Sequence, residues 1–112
     1  MTAAHCADGV FAHEVVIGAH EIRDPDNVII NAYNPTVHPQ WSSSDLSNDL
    51  AILELEEEID FASFAGNARP NCLASSGDFT DEEALVSGWG RPSDSASGIS
   101  EVLRWVTRAK TI

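Results

Sequence analysis

Short β-branched runs, each closed within a few residues by Gly, Pro, Asn or Asp, dominate this chain of 112 residues. That punctuation constrains the fold more than any other feature, because short runs bounded by turn formers build strands. Residues 14–18 form the first run and end at Gly18, which predicts a bulge or a close approach by another group. Asp24, Pro25, Asp26 and Asn27 predict a turn, and residues 28–33 a strand. Asn34-Pro35 and His38-Pro39 then break the pattern, since the residue before a proline is pushed toward extended backbone. Residues 50–55 are apolar on both faces, which predicts a strand buried on both sides. Residues 84–90 predict another strand. Residues 103–108 alternate in side-chain character, as a hairpin partner of the strand before them would. The expected class is all-β.

Composition narrows the function. A hydrophobic fraction of 43% is that of a globular domain. No apolar run approaches the roughly 20 residues that span a bilayer, so no membrane partner is expected. The formal net charge is −12, from 18 acidic and 6 basic side chains. That balance excludes nucleic acid, whose phosphates are bound by Lys and Arg. The acids gather at Glu54, Glu56, Glu57, Glu58 and Asp60, and again at Asp78, Asp81, Glu82 and Glu83; both groups read as solvated surface. The first residues carry neither a basic nor an apolar leader segment, so no secretory signal is expected within this sequence.

Three short words carry the chemistry: Thr2-Ala3-Ala4-His5-Cys6, Asn48-Asp49-Leu50-Ala51-Ile52-Leu53 and Val86-Ser87-Gly88-Trp89-Gly90. In order and spacing they resemble the histidine motif, the aspartate motif and the opening strand of the second barrel of the chymotrypsin-like (trypsin-fold) serine proteases. His5 and Asp49 stand 44 residues apart. Val37-His38-Pro39-Gln40-Trp41 resembles a further segment of that family, with Trp41 expected to pack at the barrel edge. The stretch from Trp89 to Arg104 is most similar to arthropod chymotrypsins and collagenolytic digestive proteases. The resemblance implies part of a double six-stranded antiparallel barrel. Residues 1–65 would be part of the N-terminal barrel, 66–83 the interbarrel linker, and 84–112 the first strands of the C-terminal barrel.

The resemblance also implies roles. His5 matches the general base, and Asp49 the carboxylate that fixes the histidine tautomer and stabilises the imidazolium. The residue types suit that work without the family. An imidazole is a usable base near neutral pH, and an Asp beside an apolar strand would be desolvated and need a partner. Ala3, Ala4 and Cys6 are expected to pack the turn that carries His5. The nucleophile word G-D-S-G-G is absent from these residues. Asp94-Ser95-Ala96-Ser97-Gly98 lacks the paired glycines and falls in an expected surface loop, and Ser75-Ser76-Gly77-Asp78 falls in the expected linker. The family's complete domain is roughly twice this length, in the range of large single β domains. The expectation is therefore a partial serine endopeptidase, inactive alone, whose nucleophile, oxyanion hole and specificity pocket lie beyond Ile112. By family it would be secreted, with protein or peptide substrates and protease inhibitors as partners.

The remaining titratable residues suggest no cofactor. The calcium loop of trypsin has a Glu where this chain has Ala19, so no calcium is expected. His5, Cys6, His13 and His20 fit no established zinc spacing, so no metal is assigned. In the family, the cysteines matching Cys6 and Cys72 bond to partners outside this range, which implies two free thiols here. Asn34-Pro35-Thr36 is no glycosylation site because of its proline. One alternative is a non-catalytic protease homologue that serves as a protein-binding module, which the intact His5 and Asp49 disfavour. Another is an acidic domain folding independently from Met1, which the long unpaired strand edges it would leave disfavour.

Overall fold

A computed structural model describes residues 1–77 and 79–109. Asp78 of the second acidic group and residues 110–112 of the expected last strands lie outside the described residues. The order of elements is helix α1 (Ala4–Ala7), then strands β1 (Ala12–Ile17), β2 (Val28–Tyr33), β3 (Thr36–Val37) and β4 (Ala51–Ile52). A 3-10 turn (Phe61–Phe64) and strands β5 (Glu83–Gly88) and β6 (Arg104–Ala109) follow. The fold is all-β in antiparallel pairs: β1 with β2, β3 with β4, and β5 with β6. The chain forms two compact units. One is Met1–Ile17 with Val28–Asp60; the other is Gly18–Asn27 with the described residues from Phe61 onward.

The first unit is built on the β1–β2 hairpin, whose register runs from Ala12 opposite Tyr33 to Ile17 opposite Val28. Successive side chains on β2 point to opposite faces, so Ile30 and Ala32 are buried while Ile29 and Tyr33 are exposed. The core here is made mostly of alanine: Ala4, Ala7, Ala32 and Ala51 are each at most 2% exposed. Small side chains let backbones approach closely, and Ala51 shows why that matters. Its N–H donates to Thr2 O and its carbonyl accepts Thr2 N–H, both at 2.8 Å, while across β4 it faces Val37. Ala51 thus lies between two backbones.

The run 50–55 departs from expectation. Only Ala51–Ile52 is strand, Leu50 and Ile52 are 48% and 60% exposed, and burial is confined to the Ala51 face. After Ile52 the chain leaves this ladder, and Leu55 bridges to Ala32 instead. A continuous apolar run reports the strand but not what covers its second face. Cys6 departs as well, being exposed while Ala4 and Ala7 alone of that turn are fully buried. The acids at Glu54, Glu56, Glu57, Glu58, Asp60, Asp81, Glu82 and Glu83 are exposed.

In the second unit, β5 and β6 pair from Glu83 opposite Ala109 to Gly88 opposite Arg104, the partnership expected from the alternation in residues 103–108. Residues 18–27 join this unit through Ile22 N–H to Glu101 O at 2.9 Å and Leu103 N–H to His20 O at 2.8 Å. The Trp89 indole N–H also donates to His20 O, at 3.0 Å. Asp24 to Asn27 turns as expected, with the Asp26 N–H donating to Asp24 Oδ1 at 2.9 Å. Gly18 sits at φ 68°, and a Cβ there would lie 2.7 Å from Phe64 Cδ1. The close approach expected of this glycine is present.

Candidate active site

Three backbone features bring His5 and Asp49 into register. The Thr2–Ala51 bridge fixes a point three residues before His5 and two after Asp49. From Thr2 the chain enters the single turn of α1, with Cys6 N–H on Ala3 O at 3.2 Å and Asp8 N–H on Ala4 O at 2.8 Å. The other side is shaped by Asn48, which adopts φ 54°, a left-handed conformation that Asn tolerates better than most residues. Its side-chain amide donates to Gln40 O at 2.9 Å, and Leu50 N–H turns back to Asn48 O at 2.8 Å. The tight turn centred on Asp49 presents its carboxylate to the α1 turn.

The two residues meet at two points. The backbone N–H of His5 donates to Asp49 Oδ1 at 2.8 Å, and His5 Nδ1 lies 2.7 Å from Asp49 Oδ2. An ionised carboxylate only accepts hydrogen bonds, so the proton of this contact resides on Nδ1 and the ring lone pair on Nε2. The His5 side chain is 57% exposed and that of Asp49 26%. Asp49 is therefore half-buried rather than desolvated as expected. Its carboxyl is held below the usual carboxylate range, chiefly by the His5 backbone N–H; partial burial opposes this, and the His5 ring adds to it.

The other histidines take no part in the hydrogen bonds that join this pair. His38 Nδ1 accepts Gln40 N–H at 3.1 Å, and His13 Nε2 is buried with no hydrogen-bond partner. Among the described residues, no group of three or more His, Cys, Asp or Glu gathers as a metal site would. Ser93 and Ser95 share a contact of 3.2 Å between their hydroxyls, in the loop where the D-S-A-S-G word occurs. Cys6 and Cys72 are both free and exposed. No helix among the described residues is long and apolar enough to cross a membrane.

Sequence reasoning missed two contributors. Asp8 Oδ2 accepts the Trp41 indole N–H at 3.1 Å, so Trp41 is tied by a hydrogen bond to the end of α1. Asn48 is the second: asparagine visits the left-handed region more readily than most residues, and it does so here at φ 54°.

The model of the family described as Trypsin matches residues 1–109. Brachyurin of Leptuca pugilator is 40% identical over 109 residues, covering 95% of this chain and 46% of the relative. Chymotrypsin of Phaedon cochleariae is 29% identical over 93% of this chain and 39% of its own length. Trypsin-3 of Salmo salar is 32% identical over 93% and 42% respectively. The chain spans less than half the length of these curated relatives. With the antiparallel pairs described above, these matches mean that the chain belongs to the trypsin family, the chymotrypsin-like serine proteases.

Proposed function

We propose that His5 and Asp49 are the general base and the orienting carboxylate of a secreted serine endopeptidase that cleaves protein or peptide substrates and is a target of protease inhibitors. The observation that carries this reading is the two-point contact between them, which leaves His5 Nε2 as the ring's acceptor. In the family's reaction a serine Oγ attacks the scissile carbonyl and its proton passes to that nitrogen. The imidazolium so formed is stabilised by Asp49, which stays ionised; the proton then goes to the leaving amine, and the acyl-enzyme is hydrolysed. Within this reading, residues 1–65 belong to the first barrel, 66–83 to the linker and 84–112 to the second barrel.

The nucleophile word is absent from these 112 residues, so the chain by itself is inactive. Purified alone, it is expected to show no amidase activity and no labelling by a fluorophosphonate. The catalytic competence of the pair is tested by grafting residues 1–109 into the matching stretch of the brachyurin of Leptuca pugilator. The chimera is expected to hydrolyse peptides and label with a fluorophosphonate. Asp49→Asn should cost on the order of 10⁴ in kcat by presenting the wrong tautomer. A folded chimera without turnover, or one indifferent to His5→Ala, refutes the assignment.

A further inference from the structure

We infer that Asp8 and Trp41 are a positioning pair that holds the His5 turn against the Asp49 loop, an inference that rests on reading His5 and Asp49 as catalytic partners. Helix α1 has four residues and no side-chain cap at Ala3, so it has no appreciable stability of its own. The orientation of His5 therefore depends on what tethers the turn. One tether is the Thr2–Ala51 backbone bridge at its N-terminal side. A second lies at the C-terminal side, beyond the buried Ala4 and Ala7, where Asp8 ends the helix in extended backbone and its carboxylate accepts the Trp41 indole N–H at 3.1 Å.

Trp41 is itself held by the loop that leads to Asp49. Its backbone N–H donates to His38 O at 2.9 Å, the His38 backbone N–H donates to Leu50 O at 2.9 Å, and Asn48 closes the loop onto Gln40. The Asp8–Trp41 contact thus joins the end of the His-bearing turn to a loop closed around the base of Asp49. An indole has one donor and a carboxylate only acceptors, so the bond is lost if either group is removed. The end of the α1 turn is then held only by the packing of Ala4 and Ala7, and displacements on the order of 1 Å are enough to impair a catalytic pair.

Hydrogen exchange of the His5 backbone amide in the 112-residue chain is the test, because its acceptor is Asp49 Oδ1 and its protection reads the pair directly. Asp8→Ala and Trp41→Phe should each speed that exchange about fivefold, the size of one net hydrogen bond. Asp8→Asn keeps an acceptor oxygen and should stay within about twofold of the parent, and the double variant should be no faster than either single one. Amides of the β1–β2 ladder should be unaffected, since a merely structural loss would speed them as well. Unchanged His5 exchange in both single variants, or equal acceleration of the ladder, overturns the role of Asp8 and Trp41. The catalytic pair is judged separately: if the parent amide exchanges as fast as in Asp49→Ala, the pair is not formed, and both readings fall.

Discussion

Gly18→Ala is expected to destabilise the second unit by about 2–5 kcal/mol, the sum of two separable costs. The first is conformational. At φ 68° an L side chain is crowded against its own carbonyl, which costs roughly 1–2 kcal/mol. The second is steric: the new Cβ would sit 2.7 Å from Phe64 Cδ1 and 3.2 Å from Phe64 Cε1, well inside van der Waals contact. Overpacking of this kind costs about 1–3 kcal/mol, with the lower end applying if the Phe64 ring swings aside. Urea unfolding followed by tryptophan fluorescence measures the change, since Trp89 is anchored on His20 in the same unit. Phe64→Ala in the Gly18→Ala background separates the terms, because removing the ring relieves the clash but not the backbone strain. The coupling energy should be about 1 kcal/mol or more. A loss below about 0.5 kcal/mol for Gly18→Ala would refute the strain argument, and zero coupling would refute the clash.

The Asp49 carboxyl is lowered in the folded chain, so its contribution is complete above the unfolded value near 3.9 and is lost as pH falls through the folded value below that. The His5 amide should thus keep its Asp49 contact down to about pH 4, as read by NMR, and loss of the contact already at pH 5–6 would contradict the assigned cause. The thiols of Cys6 and Cys72, both free and exposed, should react with a maleimide under native conditions. A Cys6–Cys72 bridge found by mass mapping would mean that the chain folds differently.

The strands that could be read in advance are those whose local pattern is sufficient. Val28–Tyr33 is β-branched and bounded by turn formers, and its bounds match the expectation. The pairing of β6 with β5 followed from alternation over residues 103–108. His5 and Asp49 were legible for a different reason, because each stands inside a word whose residue types are rarely combined by chance. That they meet is implied by the family resemblance, but the backbone route that joins them was not legible. It depends on Thr2 meeting Ala51 and on the left-handed turn at Asn48, and backbone hydrogen bonds across such separations leave no trace in side-chain periodicity.

Burial was decided in the same way, by partners remote in sequence. Leu50, Ala51 and Ile52 read alike as apolar residues, yet Ala51 lies between two backbones while its neighbours face solvent. Asp8 and Trp41, 33 residues apart, belong to no shared pattern and are joined only because α1 ends where the His38 to Asn48 loop closes. The sequence by itself determined the strand class and the identity of the candidate pair, because propensity and motif are local properties. The tertiary structure alone decided the 2.7 Å contact, the half-buried state of Asp49 and the second tether on α1, because each is a meeting of segments that only the folded chain brings together.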